Sequence, residues 1–387
     1  MGGELDADTR LVQDAILRLV NSTIQPRSAE YDANAQFPRA NLTLLAEQGF
    51  MAMTAPVEYG GAGLSYLAQT VVVEALAFGC PATAVIYEVH NSLHTEAVWR
   101  YGTDAQKANW IPKLSDGTAI GAFALTEAEA GSDAADLSSM AYPVAGGYRL
   151  TGRKMFISSA GEAERYLVFA RLPATAGREG ITAFMVDRDT PGVSFGRPLE
   201  KMGLHASKTA EMVLEDVFVA VGDRLGSEGQ GYEIALTLLD GGRIGIAAQA
   251  CGMLAAALAR SRRYAMERKQ FGQPISRFEG VQFKLADMAT DLYAARLMTY
   301  EAARRRNDRD IRVRAAMAKV FASEAVVRHA LAAIQVHGGY GYIRDYGVER
   351  ILRDGKVTEI YEGTSEVMRL IIASSLLHST EEALWKV

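Results

Sequence analysis

The stretch Ile360-Tyr361-Glu362-Gly363-Thr364-Ser365-Glu366 is the most informative part of this chain of 387 residues. It places the carboxylate of Glu362 between an aromatic ring and a Gly-Thr turn, and a largely apolar run from Val367 to Ala373 follows. Because a carboxylate among apolar neighbours is costly to ionise, we expect the pKa of Glu362 to be raised. A glutamate with a raised pKa can serve as a general base near neutral pH.

The stretch indicates a function only together with three segments upstream, because Y-E-G-T alone could form an ordinary turn. They are Ala124-Leu125-Thr126-Glu127 running on to Gly131-Ser132-Asp133, then Glu267-Arg268-Lys269-Gln270-Phe271-Gly272, and then Gln335-Val336-His337-Gly338-Gly339-Tyr340-Gly341. The four segments in this order form a pattern far more specific than any one of them.

Length and composition indicate a globular protein of two or three domains. The chain is 49% hydrophobic, and its mean hydropathy is close to zero. A formal net charge of −5 and an isoelectric point of about 5.8 argue against nucleic-acid binding, which normally requires a basic face. We expect no membrane span, because no run of 18 apolar residues occurs. Met1 to Arg10 is polar and acidic, unlike a signal peptide, so we expect a cytoplasmic protein of the bacterial type.

The cysteines and histidines do not indicate a metal site. Cys80 and Cys251 lie far apart in apolar surroundings, which favours buried free thiols over a disulfide. His90 and His94 are the only close histidine pair, and neither an intervening glutamate nor a third ligand accompanies them.

The first 120 residues have the pattern of a helical domain. An apolar stripe from Leu11 to Val20 predicts a first helix region that ends at Pro26, and a second helix follows Pro38. Further helices are predicted over about 65–79 and 82–101, with another that starts near Thr103 and ends before Pro112.

The pattern changes at Gly121 and again near the GSEGQG segment at 226–231. Between these points, short β segments separated by Gly, Pro and Asp predict an antiparallel, barrel-like domain. No G-x-G-x-x-G opens a helix, so a Rossmann site is not supported. Four long helices over about 232–269, 279–306, 311–337 and 363–377 predict a bundle. The fold class is therefore α+β in three domains: all-α (1–120), antiparallel β (121–230) and a four-helix bundle (231–387).

This order of motifs resembles the acyl-CoA dehydrogenase family of flavoproteins, over about residues 9 to 377. The resemblance also includes Tyr59-Gly60-Gly61-Ala62-Gly63, Lys154 with Phe156-Ile157-Ser158, Lys201-Met202-Gly203, and Leu239-Asp240-Gly241-Gly242-Arg243-Ile244-Gly245. It implies that Glu362 removes a proton from the carbon alpha to a thioester carbonyl. A flavin takes hydride from the beta carbon, which leaves a 2-enoyl thioester. The backbone N–H of Glu362 would help to bind the thioester oxygen.

The resemblance also implies an FAD site. Thr126 and Ser158 match hydroxyl residues that bond the flavin ring, and Phe156 matches a residue against its face. Arg268 and the Gln335 to Gly339 segment match elements that hold the pyrophosphate and adenosine end of FAD in a neighbouring subunit. The full set of expected FAD contacts is Phe123, Leu125, Thr126, Phe156, Ser158, Arg268, Phe271, Gln282, Gln335, Gly338, Gly339, Thr364 and Glu366.

For the acyl-CoA substrate, the resemblance implies contacts from Ser132, Asp240, Arg243, Tyr361 and Gly363. Some relatives carry the base on the helix that floors the pocket, where this chain has Gly242. Relatives with glycine there resemble short-chain and short branched-chain enzymes, so we expect an acyl group of about four to six carbons. His94, Thr95 and Glu96 are polar for a pocket wall; we expect them to face solvent. If one of them faced the pocket, a polar or carrier-protein-bound acyl group would fit.

The family further implies a homotetramer built as a dimer of dimers, with an electron-transferring flavoprotein as acceptor. An acyl-CoA oxidase or a nitroalkane oxidase is an alternative, but the former are typically longer and the latter use Asp as base. A DNA-associated relative would need a basic C-terminus, and Thr380 to Val387 is not basic. The intact Glu362 and flavin motifs argue against a catalytically silent relative.

Overall fold

The computed structural model describes residues 5–378. Its first part is helical because apolar residues recur with helical spacing and meet in one core. The helices are α1 (Ala7–Leu19), α2 (Gln25–Ala33), α3 (Arg39–Glu47), α4 (Tyr66–Gly79), α5 (Pro81–Glu88), α6 (Glu96–Tyr101) and α7 (Asp104–Ser115). Wider π-helical turns at Val20–Ile24 and Val89–Thr95 join α1 to α2 and α5 to α6.

Two prolines do not end their helices, so both of those predictions were wrong. Pro26 lies in the first turn of α2, directly after the π turn Val20–Ile24, where a missing N–H donor costs little. Pro112 lies inside α7, which continues to Ser115. The inner face of α7 buries Trp110, Ile111 and Leu114, and this burial offsets the lost hydrogen bond.

The middle part is an eight-stranded sheet. Its strands are β1 (Gly121–Ala124), β2 (Met140–Val144), β3 (Gly147–Ser158), β4 (Arg165–Arg171), β5 (Ile181–Asp187), β6 (Val193–Phe195), β7 (Thr209–Ala220) and β8 (Arg224–Leu225). The order is β6-β7-β3-β2-β4-β5-β8, with β1 beside β4. Most pairs are antiparallel as predicted, but β1 and β2 both pair with β4 in parallel. β1 therefore brings the chain from the helical part into the middle of the sheet.

The last part contains α8 (Gly231–Glu267), α9 (Glu279–Arg304), α10 (Ile311–His337), α11 (Val348–Gly355) and α12 (Ser365–Leu377). A short hairpin of β9 (Lys269–Gln270) and β10 (Gln273–Pro274) joins α8 to α9. Helix α8 packs against α4, α9 and α10 and forms the centre of the fold. It is the one helix in residues 5–378 with the length and hydropathy of a membrane span, but 83% of its most apolar stretch is buried inside the protein. That burial is typical of a core helix.

Helix α11 was missed by the sequence analysis, although it joins all three parts of the molecule. Arg353 pairs with Asp32 of α2 at 2.9 Å. Asp354 accepts a hydrogen bond of 2.6 Å from the backbone N–H of Leu204, in the β part. The helix has only eight residues, fewer than the roughly 11–18 residues over which a helical period is usually read.

Cys80 and Cys251 are both free and buried, as predicted. The domain boundaries at 120/121 and 230/231 stay predictions. Residues 1–4 and 379–387 lie outside the described residues. The expectations about the chain start and about Thr380 to Val387 therefore fall wholly or partly outside them.

Candidate active site

The loop before α12 holds Glu362 in an unusual backbone conformation. Its φ is +54°, in the left-handed region that residues with a side chain rarely adopt, and Gly363 follows at +98°. Three contacts hold the loop in place. Lys319 donates to the carbonyl of Gly363 at 2.6 Å, and Arg243 donates to the carbonyl of Glu362 at 3.3 Å. The hydroxyl of Tyr361 donates to the amide oxygen of Gln249. Strained residues kept in this way cluster at functional sites.

The carboxylate of Glu362 has the electrostatics of a general base. Its Oε2 is buried, and no hydrogen bond of good geometry satisfies it within residues 5–378. Burial raises the pKa of Glu362 to about 7, against a hydrogen bond from Glu88 and the charges of Lys319 and Arg243. The predicted upward shift of this pKa is confirmed.

Helix α8 approaches this carboxylate closely because it has glycine at 242. A Cβ atom on Gly242 would lie 2.8 Å from Cδ of Glu362, and closer still to Oε2. Real Cβ contacts are not that short, so any side chain here would displace the carboxylate. Gly241 faces Tyr66 and Arg306 instead. Close packing against Glu362 therefore explains the glycine that the sequence analysis singled out.

A cavity of about 350 Å³ opens in front of Glu362. One wall is apolar and is formed by α5, the π turn Val89–Thr95 and α8. Its residues are Val85, Val89, Leu93, Leu236 and Leu239. The cavity brings together ten of the predicted site residues, namely Phe123, Leu125, Thr126, Ser132, Phe156, Ser158, Arg243, Tyr361, Glu362 and Gly363. Asp240 is absent from the lining, but it holds Arg243 through an ion pair of 2.7 Å.

The β wall of the cavity has the features that a planar, polar-edged ring requires. The register of β3 against β7 shifts between Lys154 and Ile157, and Phe156 takes a φ of +60° there. The ring of Phe156 stays 60% exposed. The hydroxyls of Thr126 and Ser158 line the same cavity, and Thr126 is fixed through its carbonyl, which accepts from Met155 N at 2.8 Å. This wall fits the isoalloxazine ring of a flavin.

A buried ion pair supports this wall, and the sequence analysis assigned its members no role. Lys154 donates to Glu127 at 2.6 Å and to the carbonyl of Leu125 at 3.2 Å. Burial opposes ionisation of Glu127, but Lys154 and the hydrogen bonds from Ser138 and Ser139 outweigh it and lower the pKa of Glu127 to about 2. Burial lowers the pKa of Lys154 to about 8. The sequence did contain a signal for this pair: Glu127 and Lys154 are opposite charges in the two motifs that were matched to the flavin site.

The remaining predicted FAD residues lie elsewhere. A second cavity, of about 460 Å³, brings together Arg268, Gln335, Gly338 and Gly339, separate from Glu362. A Cβ atom on Gly338 or Gly339 would meet nothing within 4 Å, so their backbone is open to a bound group. An arginine beside open glycine backbone suits a phosphate.

Four predicted FAD residues line neither cavity. Phe271 is 92% exposed at the tip of the β9–β10 hairpin. Gln282 donates to the carbonyl of Ser276 at 2.9 Å. Thr364 caps the start of α12, and Glu366 is exposed in its first turn.

His94, Thr95 and Glu96 are buried, so the expectation that they face solvent was wrong. They lie where the π turn Val89–Thr95 packs against β1 and α8. Glu96 is compensated by ion pairs with Arg100 and Arg306. None of the three lines the cavity in front of Glu362. Across residues 5–378, no group of three or more His, Cys, Asp or Glu side chains could hold a metal ion.

Three family models match the chain in succession. They are the acyl-CoA dehydrogenase N-terminal domain at residues 6–118, middle domain at 122–217 and C-terminal domain at 229–377. An acyl-CoA dehydrogenase of Bacillus subtilis is 44% identical over 92% of this chain and 94% of its own. The short-chain specific acyl-CoA dehydrogenase of Clostridium acetobutylicum is 39% identical over 97% of this chain and 100% of its own.

Solved structures agree with these relatives. Butyryl-CoA dehydrogenase from Megasphaera elsdenii superposes with a TM-score of 0.95 at 38% identity, covering 98% of this chain and all of that one. A chain from a study of the electron transferring flavoprotein of Acidaminococcus fermentans gives 0.96 at 40% identity, covering 98% and 100%. The prolyl acyl carrier protein oxidase AnaB gives 0.92 at 32% identity, covering 96% and 100%.

The Glu127–Lys154 pair gives a stability prediction. Lys154→Met leaves the Glu127 carboxylate buried without its cation, so we expect a loss of about 3–5 kcal/mol in unfolding free energy. The double variant Glu127→Leu/Lys154→Met removes both charges and should recover most of that loss. Urea unfolding at pH 7 measures both effects. A double variant as unstable as the single one would contradict the explanation by an unpaired charge.

Proposed function

Since this chain belongs to the acyl-CoA dehydrogenase family of FAD-dependent oxidoreductases, we propose that it dehydrogenates a short-chain or short branched-chain acyl-CoA between the alpha and beta carbons. The product is the 2-enoyl-CoA. The observation that carries the proposal is Glu362, whose buried carboxyl group has a pKa of about 7 and lines the cavity.

In this reaction Glu362 takes the proton from the alpha carbon. The carbonyls of residues 362 and 363 are held by Arg243 and Lys319, which fixes the peptide planes of the loop. These contacts hold the backbone directly after Glu362, and the N–H of Glu362 would bind the thioester oxygen, where negative charge develops. Ser132 at the cavity edge would contact the CoA arm, and Tyr361 would contact the acyl group.

FAD, when bound, supplies the hydride acceptor for the beta carbon. Thr126, Ser158 and Phe156 would hold its ring in the cavity beside Glu362. The residues of the second cavity, Arg268 with Gln335, Gly338 and Gly339, would hold a phosphate-bearing part of FAD that belongs to a neighbouring subunit.

The lining of the cavity and the named similarities support a short acyl group. The acyl wall from Val85, Val89 and Leu93 is apolar. The named similarities to a short-chain specific dehydrogenase and to butyryl-CoA dehydrogenase support the same choice. Likeness to a chain from an electron-transferring flavoprotein study supports such a flavoprotein as the electron acceptor.

Assembly into a homotetramer, as a dimer of dimers, is also proposed. The helical C-terminal part exposes large apolar side chains, as protein interfaces do: Phe271, Phe283, Tyr293, Leu331 and Leu370. Such surfaces and the separate Arg268 cavity are expected if one subunit completes the FAD site of another.

The first functional prediction concerns the base. Glu362→Gln keeps the shape of the side chain and removes its basicity, so we expect retained FAD and a rate of flavin reduction lower by about 10²–10⁴ fold. Stopped-flow absorbance with butyryl-CoA measures that rate. Glu215→Gln, on the exposed surface, is the matched control. Near-normal reduction in the Glu362 variant would place the base elsewhere.

The second prediction concerns the acyl group. We expect the highest kcat/KM for acyl groups of four to six carbons in a series of butyryl-, isobutyryl-, 2-methylbutyryl-, hexanoyl-, octanoyl- and palmitoyl-CoA. Dye reduction by purified holoenzyme provides the measurement. An optimum at octanoyl-CoA or longer would refute the short-chain assignment. Turnover of none of them would favour a polar or carrier-protein-bound acyl group, as in the oxidase AnaB.

The third prediction links FAD to assembly. If Arg268 reaches a neighbour's FAD, dilution should release FAD and dissociate subunits over the same concentration range. Arg268→Ala should release FAD at higher protein concentration, whereas the exposed Arg262→Ala should not. Flavin fluorescence and sedimentation follow the two events. A monomer that keeps FAD across the whole range would disprove the link.

A further inference from the structure

Glu88, the last residue of α5, is a buried carboxyl group that the reaction described so far does not use. Its exposure is 0%. Neither Oε1 nor Oε2 has a hydrogen-bond partner of good geometry within residues 5–378. Leaving a carboxylate in this condition would cost far more than leaving a neutral carboxylic acid. A buried polar group without a partner calls for a physical explanation.

Helix α8 places Glu88 beside the base. A Cβ atom on Gly245 would lie 2.7 Å from Oε1 of Glu88 and closer still to its Cγ. Gly242, one turn earlier on the same face, meets Glu362 in the same way. Two glycines three residues apart therefore make room for two carboxyl groups on adjacent turns of one helix.

The charges around the pair are arranged unevenly. Arg243 from α8 and Lys319 from α10 lie beside Glu362. The groups of the described residues that act most strongly on Glu88 are Glu362, Glu96 and the hydroxyl of Ser92, and none of these is a cation. Tyr66 from α4 and Tyr361 from the loop also feel its charge, and both are neutral phenols near pH 7.

Arg306 lies near Tyr66 but is paired with Glu96. Arg243 and Lys319 therefore compensate one negative charge, at Glu362. None of the groups that act most strongly on Glu88 would compensate a second one. Burial first, and then the proximity of Glu362, raise the pKa of Glu88 well above its usual value.

We propose that Glu88 is a positioning residue for the base: it stays protonated and donates its O–H to the carboxylate of Glu362, so that the pair carries a single proton in the resting enzyme. The proposal rests on the proposed function in that Glu362 is the base. A donated hydrogen bond favours the ionised form of Glu362. Glu88 thereby keeps a larger fraction of the base ready to accept a proton at neutral pH, in spite of its burial.

The test compares two substitutions at one position. Glu88→Gln keeps a neutral donor, so the acid limb of the pH profile of flavin reduction should stay within about 0.5 pH unit of the wild type. Glu88→Leu fills the same space without a donor, so that limb should move to higher pH by about one to two units. Asp354→Asn is the control, because it removes another buried carboxyl, with a pKa raised to about 6 by burial, outside the cavity. It should leave the limb in place.

Two outcomes would overturn the proposal. A shift of the limb to lower pH in both Glu88 variants would mean that Glu88 is ionised and repels the base. An unchanged limb in both would mean that Glu88 only fills space. Thermal unfolding checks that each variant is folded.

Infrared difference spectra make the result independent of the proposed function. Holoenzyme minus Glu88→Gln at pH 8 should show the C=O stretch of a protonated carboxyl group, whether or not any thioester is turned over. Absence of that band would refute the proposal. If the band is present but none of the acyl-CoA substrates reduces the flavin, the proposed function is refuted. The assignment of the proton to Glu88 then still holds.

Discussion

The close approach of the Glu362 loop to helices α8 and α10 is the constraint on which the site depends. Arg243 and Lys319 bind backbone carbonyls of residues 362 and 363 rather than the carboxylate itself. A direct ion pair would lower the pKa of a carboxylate by one to three units and weaken it as a base. By binding the carbonyls, the two cations stabilise a strained backbone without forming an ion pair with the carboxylate of Glu362.

The same approach dictates the sequence of α8. A glycine inside a helix costs about 1 kcal/mol relative to alanine. At 242 and 245 that cost is offset because a larger residue would displace Glu362 or Glu88. Helix α8 is at once the centre of the hydrophobic core and the floor of the cavity, so the packing of the whole molecule positions Glu362, the proposed base. Most substitutions on the inner face of α8 should therefore alter the site.

Local sequence was enough to predict the three-part architecture and the raised pKa of Glu362. Periodicity and composition report burial directly, and both features depend on burial. The predictions failed where the surrounding structure outweighed a rule about a single residue type. Pro26 was expected to end a helix but lies in the first turn of one, and His94 was expected to face solvent but lies inside the core. The parallel pairing of β1 with β4 joins distant segments, which no local pattern encodes. The Arg268 and Gln335 groups were linked by resemblance, and their common cavity became visible only in the structure.

Glu88 illustrates a signal that was present in the sequence and remained unread. A single acid inside the apolar run from Ala82 to Val89 is costly to bury, and such an acid either finds a cation or stays neutral. Glu96, directly after the π turn Val89–Thr95, forms ion pairs with Arg100 and Arg306. Within residues 5–378, the groups that act most strongly on Glu88 are carboxyl and hydroxyl groups, so we expect Glu88 to stay neutral. Of two acids on one buried stretch, Glu96 therefore has cationic partners, whereas Glu88 lies beside the carboxyl group of Glu362, the proposed base.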